Sequence, residues 1–255
     1  MIKSLKLGEG SISSDQRMIA THVASFYESF HKSVPLSLHS HHLSCIPKEV
    51  DEVDLLGLEA IPSIGEIKSA VWDLDPLNSP SLDGFPGEFF TQCRSIIEAN
   101  FCDAVRSFFI YGHLPYGVNN SFITHIPKID AALSLDKFHP ICMGNFFVKT
   151  ISKIIALHIS LLLPRLIFDE QGAFQKGKII TSNISLASEL ANIMHSSVRG
   201  SGLGLKLDIQ KAYDTLSWPF LFVVLKQFGF SNKCIAWVNQ ILASSKTQWT
   251  LMVVI

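Results

Sequence analysis

The most informative stretch of the sequence is Gly202-Leu-Gly-Leu-Lys-Leu-Asp208-Ile-Gln-Lys-Ala-Tyr213-Asp214. Its first half predicts a β-strand that ends on the carboxylate of Asp208, and the aromatic ring of Tyr213 follows five residues later. An acid in this position suits a metal ligand, because the sheet holds the carboxylate while the loop beyond it stays open to a substrate. From the residues alone, Asp208 is as easily explained as the N-cap of a turn, so both interpretations remain open.

Outward from this strand, the apolar spacing predicts mostly helices. Gly229 closes a helix on the C-terminal side, another helix follows, and the chain then becomes β-prone. On the N-terminal side, partial alternation predicts one short strand, and spacings of three and four predict two helices. The predicted ranges are 121–126 for the strand, 147–163, 183–195, 218–228 and 232–242 for the helices, and 247–255 for the β-prone tail. The expected inner face of the 183–195 helix consists of Ile184, Ala187, Leu190, Ala191 and Met194.

The first 115 residues predict three further helices. A leading helix capped by Ser13 or Ser14 has an apolar face that must pack on another element. Ser63 and Glu66 have the form of a capping box, and the helix that they begin ends near Pro76. After a turn rich in proline and glycine, a single long helix runs from about Pro86 to Tyr111. The expected face of the leading helix is Ile19, Val23, Phe26, Tyr27 and Phe30.

Composition excludes several classes of protein. The chain has 255 residues, 47% of them hydrophobic, which is enough for a substantial core in one large domain or two smaller ones. The apolar stretch 154–168 is interrupted by polar residues and is too short for a membrane span, and the N-terminus lacks the apolar region of a secretory signal. We therefore expect an intracellular protein, nuclear or cytoplasmic, that is not secreted and has no membrane partner.

The cysteines and histidines do not form a clear metal site. Five scattered cysteines without a Cys-x-x-Cys pair predict reduced, mostly buried thiols. The run His39-Ser-His-His-Leu-Ser-Cys45 brings ligand-type residues together, but one short loop seldom supplies four zinc ligands, so a solvated loop is the favoured interpretation.

The net charge of −1 conceals two different halves. Residues 1–90 contain 6 Lys and Arg against 13 Asp and Glu, a net charge of −7, whereas residues 91–255 contain 15 against 9, a net charge of +6. Such asymmetry predicts an acidic leading segment and a basic body that could face phosphate, although a mixed solvated surface is the commoner explanation.

Five motifs in order resemble those of a non-LTR (LINE-type) retrotransposon reverse transcriptase. Their residues are most similar to those of the versions abundant in plant genomes. Together they span most of the chain, which makes the resemblance far more specific than any single motif. The motifs are Ser79-Pro-Ser-Leu-Asp83-Gly-Phe-Pro86-Gly-Glu88-Phe-Phe, His125-Ile-Pro-Lys128, Asp136-Lys-Phe138-His-Pro140-Ile141, Gln171-Gly-Ala-Phe174-Gln-Lys-Gly177-Lys-Ile179 and Lys206-Leu-Asp208-Ile-Gln-Lys-Ala-Tyr213-Asp214.

The resemblance implies a role for each matching residue. Asp208 would be the catalytic aspartate that holds two Mg²⁺ ions, roughly 3.5 to 4 Å apart, in two-metal nucleotidyl transfer. The backbone carbonyl of Ile209 would be a further metal ligand, and Tyr213 would stack beneath the deoxyribose and exclude a 2′-hydroxyl. Lys128 would contact phosphate of the template or the triphosphate. An RNA template and a DNA primer are the implied partners.

Several positions depart from the family pattern. His139 stands where the family has arginine, and a neutral imidazole does not replace a charged, forked guanidinium at a nucleotide-binding position. Lys178 replaces another arginine beside Lys176, both expected to bind nucleic acid, and Ser182 stands where an acid is common. The pair Ser81-Leu82 replaces Gly-Pro. These substitutions are typical of relaxed drift.

The implied fold is α/β and helix-rich, with the fingers of a right-hand polymerase and an incomplete antiparallel palm. The expected divisions are an acidic linker at 1–62, fingers at 63–200 and a partial palm with the first catalytic motif at 201–255.

Neither the Asp-Asp motif nor a Gly-Arg-Gln-Gly-Asp-Pro segment occurs in the 255 residues. We therefore expect a truncated RNA-directed DNA polymerase without activity, separated from the rest of its palm and thumb. A residual RNA- or DNA-binding fragment and a poorly folded pseudogene product are the alternatives.

Overall fold

The computed structural model describes residues 2–7, 10–30, 43–172, 177–195 and 216–249. The chain divides into two compact units, one formed by Met1–Ser37, Glu59–Ile155 and Ser231–Ile255 and the other by Leu38–Leu58 and Ala156–Phe230. The division into linker, fingers and partial palm stays a prediction.

The described elements are mainly helices. The strands are β1 (Leu5–Lys6), β2 (Ile12–Ser13), β3 (Asn120–Pro127), β4 (Phe138–Met143) and β5 (Lys246–Trp249). The helices are α1 (Gln16–Phe30), α2 (Glu52–Leu58), α3 (Ile64–Trp72), α4 (Gly87–Gln92), α5 (Arg94–Tyr111), α6 (Phe146–Ser160), α7 (Leu163–Leu166), α8 (Ile180–His195), α9 (Trp218–Phe228) and α10 (Asn232–Ser244). None of the helices in the described ranges is long and apolar enough to cross a membrane.

The leading helix α1 buries the face that the sequence predicts over its first four residues, whereas the side chain of Phe30 lies outside the described ones. Ile19, Val23 and Tyr27 are buried in one cluster, and Phe26 packs against it. The predicted cap is wrong, because the Asp15 carboxylate accepts the backbone N–H groups of residues 17 and 18. Asp15 is the better cap, since its charged acceptor satisfies two free N–H groups at the positive end of the helix. The rest of the cluster is Ile2, Leu5, Leu135 and Phe138.

Helices α3, α4 and α5 follow in the first unit. Ser63 caps α3 as predicted, with its hydroxyl accepting the N–H of Glu66 at 3.1 Å. The predicted single helix from Pro86 to Tyr111 is wrong, because the backbone of Cys93 (φ −87°, ψ 13°) leaves the helical region and separates α4 from α5. At its C-terminal end, α5 ends at Tyr111 as predicted, and Gly112 follows in the left-handed conformation.

A three-stranded sheet in the order β4-β3-β5 lies in the first unit. Strands β3 and β4 pair antiparallel from Phe122↔Met143 to Pro127↔Phe138, and β4 is a strand that the apolar pattern did not predict. Strand β5 pairs with β3 in parallel. The predicted palm strand that ends at Asp208 lies outside the described residues, so the incomplete antiparallel palm stays a prediction. More than a hundred residues separate β3 from β5, and such a long connection permits a parallel crossover.

The turn before α4 is fastened to this sheet by Ser81. Its buried hydroxyl donates to the carbonyl of Met143 at 2.8 Å, at the end of β4. The turn continues through Gly84, whose φ of +75° favours glycine, and Asp83 accepts the N–H of Phe85. Ser81 is thus a structural anchor in this chain, although it departs from the family motif.

The second unit contains α2, α7, α8 and α9. Helix α9 is capped by Ser217 and ends at Gly229, whose φ is +106° and whose Cα lies so close to the carbonyl of Val50 that a Cβ would be 2.7 Å from it. The backbone N–H of Asp51 donates to the Asp54 carboxylate, which also forms an ion pair with Arg165. The hydrogen bond from Asp51, followed by the one from Arg165, lowers the pKa of the Asp54 carboxyl. These contacts connect the 43–58 segment with the later helices of the same unit.

The predicted inner face of α8 is wrong. Ile184, Leu190 and Met194, which the helical spacing places on one side, are all exposed. The 3.6-residue period predicts that one side of the helix is apolar, but it does not identify a partner that covers this side.

Candidate nucleic-acid interface

Three residues with basic or titratable side chains lie at one end of the β3–β4 pair. Lys128 directly follows β3, and its backbone N–H donates to the carbonyl of Lys137 at 2.8 Å. Two residues beyond Lys137, His139 lies opposite Ile126 in the strand register. The side chains of Lys128, Lys137 and His139 are exposed. We call these three residues the strand-end cluster.

Two carboxylates, those of Asp130 and Asp136, belong to the segment that joins the two strands at this end. Asp136 lies 3.3 Å from the ammonium group of Lys137, and its backbone carbonyl accepts from the Nζ of Lys128 at 3.2 Å. A hydrogen bond from Ser134, followed by Lys137, lowers the pKa of the Asp136 carboxyl. The ionised Asp136 carboxylate offsets one of the two lysines and the exposed Asp130 offsets the other, so the lysines and aspartates of residues 128–139 sum to zero.

The opposite side of β3 is buried. His125 is 5% exposed, and its Nε2 lies 3.2 Å from the hydroxyl oxygen of Tyr27 on α1. Burial lowers the pKa of His125, which keeps the imidazole neutral at neutral pH. The alternation of the strand therefore separates a core histidine from the exposed Lys128, although both belong to the same His-Ile-Pro-Lys motif.

Lys178 belongs to the second unit and has a different environment. Its ammonium group lies 2.7 Å from Asp169 Oδ1, and this interaction lowers the pKa of the Asp169 carboxyl. The ion pair offsets the charge that Lys178 could offer to a phosphate. The structure thus brings Lys128 and His139 together at one strand end, whereas Lys178 stands beside its own carboxylate; its expected nucleic-acid contact stays a prediction.

The other predicted site residues, Asp208, Ile209, Tyr213 and Lys176, lie outside the described residues. Within the described part of the chain, no three His, Cys, Asp or Glu side chains come close enough together to hold a metal ion. The histidines of the His39–Cys45 run also lie outside it, whereas Cys45 is described and exposed. The described residues therefore provide no Mg²⁺ site, and the ligands proposed for the ions rest on the sequence motif.

Lys137 is the member of the strand-end cluster to which the sequence assigned no role. It stands within the Asp136–Ile141 motif, but the motif alone does not show that its carbonyl pairs with Lys128. The antiparallel pairing of β4 with β3 places positions 128 and 137 side by side. A prediction of strand β4 from the sequence would therefore have indicated Lys137.

Comparison with known proteins agrees with these motifs. Residues 126–254, about half of the chain, match the family model described as reverse transcriptase (RNA-dependent DNA polymerase). The chain is also 24% identical over 201 residues to the Transposon TX1 uncharacterized 149 kDa protein of Xenopus laevis. That alignment covers 76% of this chain but 15% of the relative, so the chain spans a small part of the relative's length. The resemblance to non-LTR retrotransposon enzymes is thereby confirmed, and the chain belongs to the reverse transcriptase (RNA-dependent DNA polymerase) family.

Proposed function

We propose that this chain supplies the fingers and the first palm motif of a non-LTR retrotransposon reverse transcriptase, and that its strand-end cluster contacts nucleic-acid phosphate. The observation that carries the second statement is the gathering of Lys128, Lys137 and His139 at one exposed strand end, inside the residues that match the family. Lysine ammonium groups on a rigid strand end suit phosphate, because they add charge at a fixed place without reading the base sequence.

The two-metal chemistry is proposed from the motif alone. Asp208 and the carbonyl of Ile209 would hold Mg²⁺, which activates a primer hydroxyl and stabilises the leaving pyrophosphate when it is bound. Tyr213 would select deoxyribose, and Lys176 with Lys178 would bind the template strand. RNA template and DNA primer are the substrates of this proposal.

The strand-end cluster is tested by RNA binding to the 255-residue chain across a range of salt concentrations. Lys128→Ala should weaken the affinity, and the slope of log affinity against log salt should fall by about 0.7 for the one lost phosphate contact. His139→Arg should strengthen binding, because a guanidinium is charged at every relevant pH and can hold phosphate through two donors.

The matched control is Lys226→Ala, which removes an exposed lysine from the last turn of α9, also within the family match. Its affinity and salt slope should equal those of the unmodified chain. Equal effects of Lys128→Ala and Lys226→Ala would show that any surface charge contributes, and the proposed interface would then be wrong.

A second candidate function is nucleic-acid binding without polymerisation. It is favoured by one observation, that the 255 residues contain no adjacent pair of aspartates to complement Asp208. One carboxylate does not hold two Mg²⁺ ions, so a polypeptide of this sequence alone should bind RNA and extend no primer. Primer extension with Mg²⁺ that disappears in Asp208→Ala would overturn this candidate, and a broad, non-cooperative melting curve would support a poorly folded product instead.

A further inference from the structure

The connecting loop, residues 128–137, joins β3 to β4 and carries both lysines of the strand-end cluster. Its middle has little burial of its own, because Ile129 and Asp130 are exposed. The next residue, Ala131, has a φ of 51°, which is uncommon in residues other than glycine. A strained backbone of this kind persists only where the surrounding structure holds it. Contacts from outside the loop must therefore keep it in place.

The N-terminal hairpin of β1 and β2 supplies such contacts. The backbone N–H of Lys6 in β1 donates to the carbonyl of Leu133 in the connecting loop at 2.7 Å. Its neighbour Leu5 is fully buried in the same apolar cluster as Leu135, and Ala132 packs against that cluster. The hairpin thus fastens the second half of the loop by a main-chain hydrogen bond and by apolar packing.

Helix α1 holds both the start of the chain and the adjoining strand. The side chain of Gln16 donates to the carbonyl of Ile2 at 3.0 Å, which ties the residues before β1 to the first turn of the helix. Near the other end of α1, the hydroxyl oxygen of Tyr27 lies 3.2 Å from Nε2 of His125 in β3. A single apolar cluster therefore includes residues of β1, α1, the connecting loop and β4.

We propose that β1, β2 and α1 form an N-terminal clamp, which keeps the connecting loop in the conformation that pairs the backbones of Lys128 and Lys137. Since the exposed middle of the loop adds few contacts, release of the clamp should open the loop while the β3–β4 pair stays folded. The clamp precedes residue 126, where the match to the family model begins, whereas the loop lies within that match. Its value for phosphate contact rests on the proposed function.

The test is amide hydrogen exchange of the 255-residue chain without nucleic acid, with mass spectrometry of the peptide 128–138. Leu5→Ala should speed the exchange of this peptide by about tenfold or more, because truncation of a buried leucine removes packing that closes the loop. Leu5→Met has nearly the same volume and should keep the exchange rate of the unmodified chain.

The matched control is Leu114→Ala. Leu114 is also buried in the first unit, at 2% exposure, but it is not one of the residues of the apolar cluster. Its truncation should leave the exchange of the peptide 128–138 unchanged. Equal acceleration by Leu5→Ala and Leu114→Ala would overturn the proposal, since the loop would then open only when the whole unit unfolds. An unchanged rate in Leu5→Ala would overturn it as well.

A second variant applies if Leu5→Ala prevents folding. Lys6→Pro removes the N–H that is donated to Leu133 and should speed the exchange of the peptide 128–138 about fivefold, the equivalent of one lost hydrogen bond. If Lys6→Pro melts cooperatively and the peptide exchanges as in the unmodified chain, the clamp does not hold the loop.

Exchange and RNA affinity together separate the clamp from the proposed function. Unchanged exchange in Leu5→Ala, with weaker RNA binding of Lys128→Ala, would overturn the clamp and leave the strand-end interface intact. Faster exchange in Leu5→Ala, with unaltered RNA binding of Lys128→Ala, would support the clamp and overturn the interface.

Discussion

His125 and Lys128 stand three residues apart and have opposite surroundings. The side chain of His125 faces Tyr27 and the ring of Phe138 in the core of the first unit, whereas Lys128 is exposed at the strand end. Protonation of His125 would place a charge among apolar groups, with a hydroxyl as its described hydrogen-bonding partner. The residue therefore couples the stability of the α1 contact to pH, while Lys128 remains available to solvent.

This coupling predicts lower stability in acid. The imidazole has a pKa near 6.5 when unfolded, and burial lowers the pKa of His125 in the folded chain, so the unfolded state binds more protons as pH falls through 6.5. The free energy of unfolding should then decrease from pH 7 to pH 5, by at most about 1.4 kcal/mol per pH unit from this one group. Urea denaturation at several pH values measures the decrease.

The variant His125→Phe keeps a ring against Phe138 and should flatten this pH dependence. His113 is exposed, and His113→Phe should leave the slope of the unmodified chain intact. If His125→Phe shows the same slope as the unmodified chain, the titration of His125 does not control acid stability.

Sequence reasoning was sound for single residues whose role is local. The capping hydroxyl of Ser63 and the helix ends at Gly112 and Gly229 agree with the sequence predictions, because a cap or a helix end depends on a few neighbouring residues. Ser81 was interpreted as drift, since its bond to Met143 joins positions 62 residues apart and leaves no mark in the local sequence.

At the scale of elements, the sequence predicted where helices form better than how they pack. Apolar periodicity predicted α1, α6, α8, α9 and α10, but it missed the break at Cys93 and the exposure of the apolar side of α8. Both depend on tertiary contacts, which a periodic pattern does not contain. Strand β4 was missed for the same reason, because its exposed residues do not alternate regularly and pairing with β3 defines it.

Replacing glycine by alanine should have opposite effects on stability at Gly87, at the start of α4, and at Gly57 in α2. A Cβ on Gly87 would lie 2.9 Å from the Asp75 carbonyl oxygen and 2.9 Å from a ring carbon of Phe146, so Gly87→Ala should destabilise the chain by about 1 to 3 kcal/mol. Gly57 in α2 has no heavy atom within 4 Å of such a Cβ. There the same change should stabilise the helix by about 0.5 to 1 kcal/mol, because alanine loses less backbone freedom on folding.

Urea denaturation of the two single variants and the unmodified chain decides this point. Gly57→Ala also serves as the control for the general effect of alanine on helix formation. If Gly87→Ala is neutral or stabilising, the backbone at Asp75 and Pro76 and the ring of Phe146 must move easily, and α4 is not tightly packed against them.

For the whole molecule, the charge halves inferred from sequence do not coincide with the two compact units. The acidic residues 1–90 contribute to both units, since the first includes Glu59–Ile155 and the second Leu38–Leu58. Charge summed along the chain therefore does not describe either unit. The strand-end cluster shows the consequence: residues 128–139 contain two lysines and two aspartates and sum to zero, so the exposed lysines of the cluster come together through the strand register and not through a charge summed along the chain.

The five cysteines provide a test of the core in the whole molecule. Cys102 and Cys234 are buried and Cys93 is intermediate, whereas Cys45 and Cys142 are exposed, so the expectation of mostly buried thiols is only partly correct.

Burial raises the pKa of the Cys102 and Cys234 thiols, and the thiolate is the reactive form. At pH 8, alkylation followed by peptide mass spectrometry should modify Cys45 and Cys142 first, and the two buried thiols only as the chain opens. In denaturant, all five should react at similar rates. Native labelling of Cys102 or Cys234 as fast as that of Cys45 would contradict the packing of α5 and α10, because a thiol in a closed core reacts no faster than the core opens.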